Sequence, residues 1–123
     1  MTNKVLIIDD SLMVRRQVAG SLRNLGYEVV EAVDGLDALQ KLDVNQDAQL
    51  IVCDVNMPQM NGIEFLERLK ALGSKVPVVM LTTEGEPDLI QRAKALGAKG
   101  WLLKPFKPEF LEATAKKWAP RTS

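Results

Sequence analysis

The chain has no histidine, a single cysteine and no net charge, and each shortage narrows what it can be. Without imidazole, and with no second thiol, any metal it holds must rely on oxygen ligands. Cys53 cannot form an internal disulfide, and a reducing cytoplasm is the natural compartment. Sixteen basic residues balance sixteen acidic ones, so net charge offers no argument for nucleic acid or a membrane surface as the main partner. The apolar runs stay far below the ~18 residues that a membrane span requires, so no membrane insertion is expected. The N-terminus passes from Met1-Thr2-Asn3-Lys4 straight into a short apolar strand, which is too brief for a signal-peptide core. Internal repeats, low-complexity tracts and linkers are also missing.

What is present is a regular alternation. Four apolar, largely β-branched runs read as buried strands: Val5 to Ile8, Leu50 to Cys53, Val76 to Leu81 and Trp101 to Leu103. A weaker fifth runs from Tyr27 to Val30. Between them Val14, Val18, Leu22 and Leu25, then Leu36, Leu39 and Leu42, recur at helical spacing and place one apolar stripe on one face. Ile63, Leu66 and Leu69 do so before Gly73, and Leu89, Ile90, Ala93 and Leu96 before Gly97, while Gly26 closes the first helix. Ser11, Asp34 and Asn61 are candidate N-caps, and Pro87 and Pro108 candidate first helical residues. Strand and helix alternate five times, which predicts an α/β fold, a parallel sheet with helices on both faces joined by right-handed crossovers. The 123 residues suit one domain. The last helix, near Pro108 to Trp118, is followed by only a short tail, so residues 1–123 are expected to form a single unit without an output domain, and a monomer is the expected form. Periodicity does not give the strand order.

In such a sheet every strand's carboxyl end lies along one edge, where ligands bind. The first strand ends in Asp9-Asp10, the third in Asp54, the fourth in Thr82-Thr83 and the fifth in Lys104-Pro105, so three carboxylates, a hydroxyl and an ammonium converge. Two unit charges about 4 Å apart repel by about 4 kcal/mol at an effective dielectric of about 20, so such a cluster calls for a counter-charge. Oxygen-only ligands point to a hard divalent ion, and Mg²⁺ characteristically takes one or two carboxylates while keeping waters for a phosphate; Ca²⁺ stays open at this level. With a metal offsetting charge, a carboxylate could attack a phosphoryl group to give an aspartyl phosphate, and Lys104 and Thr82 could hold its oxygens.

Each residue taken alone has a plainer reading. An acidic residue after a strand is usually a solvated turn residue or a cap, Lys104 a surface lysine, Thr82 a turn-capping hydroxyl. Cys53 reads as inert core, Met57 and Met60 as packing, and Asp34-Gly35 as a helix-capping turn. The joint placement at one edge is what favours chemistry.

These blocks, in this order, resemble the receiver domains of response regulators, in particular single-domain chemotaxis regulators of the CheY type. The resemblance runs from Val5-Leu6-Ile7-Ile8-Asp9-Asp10-Ser11 through Ala32 to Ala38, Asp54-Val55-Asn56-Met57-Pro58 and Met60-Asn61-Gly62. It continues through Leu81-Thr82 to Gly97-Ala98-Lys99-Gly100-Trp101-Leu102-Leu103-Lys104-Pro105-Phe106. It implies a flavodoxin-like, doubly wound sheet in the order 2-1-3-4-5 with five helices. It further implies that Asp54 accepts the phosphoryl group, that Asp10, Asp54 and the Asn56 backbone carbonyl ligate Mg²⁺, and that Asp9 holds metal-bound water. Thr82 would bond the phosphoryl group and shift toward it, Lys104 would pair with it, Lys104-Pro105 would be cis, and Trp101 would be the switch aromatic. The chain departs from the pattern at Val55, where some chemotaxis regulators carry Trp, and at Trp101, where Tyr or Phe is usual.

With no histidine of its own, the chain would take its phosphoryl group from a sensor histidine kinase or a small phosphodonor. The implied output is a downstream protein such as the flagellar motor switch, or else a role as phosphate sink or shuttle. On this reading the chain is a switch, not an enzyme beyond its own phosphorylation and dephosphorylation. A haloacid-dehalogenase-type phosphatase would need a second Asp two residues after the nucleophile as general acid, and Asn56 stands there. A flavodoxin-like flavin carrier would want a Ser/Thr/Gly-rich phosphate loop where Asp9-Asp10 stand.

Overall fold

A computed structural model of the chain describes residues 3–57, 59–82, 87–104 and 107–120. Its elements run β1 (Lys4–Ile8), α1 (Leu12–Asn24), β2 (Glu28–Ala32), α2 (Gly35–Val44), β3 (Leu50–Asp54), α3 (Gly62–Ala71), β4 (Val78–Thr82), α4 (Pro87–Ala95), β5 (Gly100–Leu103) and α5 (Pro108–Trp118). The strands pair in parallel in the order β2-β1-β3-β4-β5, a flavodoxin-like doubly wound sheet as the resemblance implied.

Strand alternation divides the interior into two cores. Leu6, Ile8, Ile51, Cys53, Val78 and Met80 face α2, α3 and α4, where Ala38, Phe65, Leu66, Leu69 and Ala93 meet them. Val5, Ile7, Leu50, Val52, Val79, Leu81 and Leu102 face α1 and α5, against Val18, Leu22, Leu111 and Ala115. Because both faces are covered, β1, β3 and β4 are buried along their whole length, which is why they read as continuous apolar runs. Cys53, fully buried in the first core, is a packing residue; burial, then the charges of Asp54 and Asp9, push its thiol pKa well above the ordinary value.

Local signals were reliable guides to the helix ends. Ser11, Asp34 and Asn61 each accept a backbone N–H of the first turn, and Asn61 with Glu64 completes a capping box. Pro87 and Pro108 are first helical residues, and Gly26, Gly73 and Gly97 take positive φ just past their helices. Three expectations need correction. The second strand is shifted toward Ala32, because Tyr27 still belongs to the turn, its N–H bonded to the Leu22 carbonyl. The fourth begins at Val78 rather than Val76; Pro77 has no N–H to donate, though its carbonyl accepts from Ile51. Leu36 is largely exposed in the first turn of α2, and Ala38 takes the buried place expected of it.

Candidate functional site

β1 and β3 are neighbours at the centre of the sheet, so Asp9, one residue past β1, and Asp54, the last residue of β3, emerge side by side. Asp9, Asp10 and Asp54 each offer a carboxylate oxygen within 4.8 Å of the others. Asp9 is fully buried and Asp54 is 5% exposed, while Asp10 faces solvent. Lys104, one residue past β5, reaches into the group: its Nζ lies 2.8 Å from Asp9 Oδ2 and 3.3 Å from Asp54 Oδ1. One ammonium thus opposes three carboxylates.

The electrostatics follow from that imbalance. Burial first, and then the charge of Asp9, push the Asp54 pKa up to about 6, and Lys104 only partly offsets them. Burial disfavours the charge on Lys104, but its close contacts with Asp9 and Asp54 outweigh this and raise its pKa above the ordinary lysine value. Asp9 Oδ1 accepts from the Ser11 N–H at 2.9 Å. Its Oδ2, though ion-paired with Lys104, has no aligned hydrogen bond. An all-oxygen donor set with surplus negative charge, one ammonium against three clustered carboxylates, fits a hard divalent cation such as Mg²⁺.

Thr82 is 7% exposed at the end of β4, one residue beyond Leu81, the register partner of Asp54. Its carbonyl accepts the Lys104 N–H at 2.7 Å, so the two strand ends carrying hydroxyl and ammonium are tied together. Asn56 is exposed in the loop after β3. Trp101 stands apart from the carboxylates: it is half-buried and packs on the α2–α4 side with Leu89 and Leu96, and Lys94 Nζ lies 6.0 Å from its ring centroid. This is the side away from Lys104 that strand alternation predicts. Met57 and Met60 pack in the same core. Thr83 and the Lys104-Pro105 peptide expected to be cis lie outside the described residues.

Two supporting residues escaped sequence reasoning. Arg15 donates to the Asp9 carbonyl at 2.8 Å; its spacing with the buried Ala19 and Leu22 was the available signal that it lies on the inner flank of α1. Gly62 presses the start of α3 against the Asp54 backbone. A Cβ there would come to 2.4 Å from the Asp54 carbonyl oxygen, whereas Asn61-Gly62 alone reads as an ordinary helix start.

The family model described as the response regulator receiver domain matches residues 5–116. The chain is 38% identical over 112 residues to the chemotaxis protein CheY1 of Helicobacter pylori strain J99, covering 89% of this chain and 90% of that one. It is 34% identical over 123 residues to the sporulation initiation phosphotransferase F of Bacillus subtilis, covering 100% and 98%. Among solved structures, the chemotaxis protein CheY4 of Vibrio cholerae superposes with a TM-score of 0.88 at 43% identity, covering 96% of this chain and 99% of that one. Similarity of this extent, in sequence and in strand order alike, means that the chain belongs to the response regulator receiver domain family of two-component signalling.

Proposed function

We propose that residues 1–123 act as one receiver domain in which Asp54 accepts a phosphoryl group with Mg²⁺ bound, switching a surface read by a downstream protein. The observation that carries this reading is the convergence of Asp9, Asp10, Asp54 and Lys104 at the strand-end edge, where open α/β sheets bind ligands. Asp10, Asp54 and the Asn56 carbonyl would hold the ion, and Asp9 its water; when bound, the ion offsets charge on the carboxylates and the incoming phosphoryl oxygens. Asp54 is the nucleophile. One of its oxygens bonds to phosphorus as the P–N bond of a phosphohistidine on a sensor kinase breaks and the imidazole leaves with the electron pair. Lys104 is placed to pair with the phosphoryl oxygens, the Thr82 hydroxyl to donate to them, and Trp101 to report the change on the α4–β5 side.

The relatives named for chemotaxis favour a diffusing cytoplasmic output, with a flagellar motor switch as the target class. The relative named as a phosphotransferase, matched over 98% of its length, supports a shuttle as the second reading. Among the described residues no helix is long and apolar enough to cross a membrane.

Wild-type protein given Mg²⁺ and a small phosphodonor should gain one phosphoryl group by intact mass spectrometry, and none in EDTA; no gain in Mg²⁺ would refute the proposal. Asp10→Ala, which removes a direct ligand, should weaken Mg²⁺ binding more than Asp9→Ala, whose loss should fall in the range of about 10- to 100-fold typical of an outer-sphere partner. Calorimetric titration showing both variants binding like wild type would place the ion elsewhere.

A further inference from the structure

β1 ends at Ile8, so the chain carrying both Asp9 and Asp10 has to be held by something beyond the strand itself. The Asp9 N–H donates to the Ala32 carbonyl at 3.1 Å, which fixes one side of the residue. The other side is fixed by Arg15, whose Nη1 donates to the Asp9 carbonyl oxygen at 2.8 Å. That oxygen belongs to the same planar peptide unit as the nitrogen and Cα of Asp10, so holding it also sets the plane from which Asp10 departs. Arg15 is itself held. Its Nε forms an ion pair with Glu31 Oε1 on β2 at 3.4 Å, without an aligned hydrogen bond, its side chain is only 12% exposed, and Glu31 is shared with Arg23 Nη2 at 3.4 Å. The guanidinium is therefore a bridge, by charge to Glu31 on β2 and by a hydrogen bond to the turn that carries two of the three clustered carboxylates.

We infer that Arg15 is a positioning residue for Mg²⁺: through the Asp9 carbonyl it fixes the direction in which Asp10 offers its carboxylate, and Glu31 fixes Arg15. The inference rests on the Mg²⁺-dependent reading of the site above. An arginine that merely stapled α1 to the sheet would contribute to stability and leave metal affinity alone, so the two roles separate by measurement.

Mg²⁺ titration by calorimetry and thermal unfolding in EDTA would be run on wild type, Arg15→Met, Arg15→Lys, Glu31→Gln and the Arg15→Met/Glu31→Gln double variant. Methionine keeps much of the apolar stem without the donor. The Mg²⁺ Kd should rise about tenfold in Arg15→Met, the lower end of the range for groups that orient metal ligands, and less in Arg15→Lys, which keeps a cationic N–H donor. Glu31→Gln should also weaken binding, and the double variant should be no worse than Arg15→Met because both act through one contact. A lowered melting temperature in EDTA with Mg²⁺ affinity equal to wild type would reduce Arg15 to a staple and overturn the inference. If Arg15→Met does not fold, Arg15→Lys and Glu31→Gln decide by the same criterion. Wild type that binds no Mg²⁺ would overturn both this inference and the function it rests on, whereas normal binding by wild type and all variants would overturn this inference alone.

Discussion

Asp54→Asn should abolish labelling by a phosphodonor and, at the same time, stabilise the metal-free protein at neutral pH. The first effect follows from replacing the only proposed nucleophile by an amide. The second follows from the site's electrostatics. Asp54 is 5% exposed and shares its surroundings with Asp9 and Asp10, and its pKa stands at about 6 against about 3.9 for a free aspartate. A carboxyl whose folded pKa is raised binds its proton more tightly in the folded state. Its stabilising contribution is therefore complete below about pH 4 and is lost as the pH rises through about 6. At neutral pH the ionised group is a burden of about 2 kcal/mol, allowing for residual solvent screening. Asparagine removes that burden, so thermal unfolding in EDTA should show the variant ahead of wild type by several degrees at pH 7. The gap should close as the pH falls toward 4. Added Mg²⁺ should stabilise wild type more than the variant, since only a ligand that binds the folded state shifts its stability. A variant still labelled like wild type, or less stable than it across this pH range, would show that Asp54 has been misread.

Gly62→Ala should cost about 3 kcal/mol in urea unfolding, at the upper end for overpacking a close-packed interior. The new Cβ would lie 2.4 Å from the Asp54 carbonyl oxygen and 3.0 Å from Val55 Cα, both backbone atoms of the strand end. The Gly62 N–H is also bonded to the Val55 carbonyl at 2.9 Å, so the helix start cannot retreat without losing that bond. The nearby Met80 Cε, at 2.7 Å, is the flexible end of a side chain and can yield. Gly35→Ala, whose Cβ would meet only side-chain atoms of Met60 among its nearest neighbours, should cost less. Gly20→Ala, with nothing within 4 Å, should stabilise by up to about 1 kcal/mol through helix propensity. Because Gly62 leans on Asp54, its alanine variant should also be labelled more slowly. Equal stability of the Gly62 and Gly20 variants would mean that the close approach at the strand end does not exist.

How far the site was legible depends on the range of the interactions involved. Asp9, Asp10, Asp54, Thr82 and Lys104 could be named because each sits at a strand's carboxyl end, and a parallel sheet brings all such ends to one edge whatever the strand order. What could not be read is how they divide the charge. Lys104 comes from the edge strand β5, yet its ammonium lies closer to Asp9, beyond β1, than to Asp54 on the intervening β3. No spacing along the chain encodes that reach.

The sequence by itself determined the alternation of strands and helices, the capped ends at Ser11, Asp34 and Asn61, and the set of residues available to one sheet edge. These depend on hydrogen bonds and periodicities spanning only a few residues. Only the tertiary structure decided that Arg15 holds the Asp9 carbonyl, that α3 begins against the Asp54 backbone, and that Leu36 stays in solvent while Ala38 is buried. Those outcomes depend on where elements distant in sequence come to rest, and close packing settles them atom against atom.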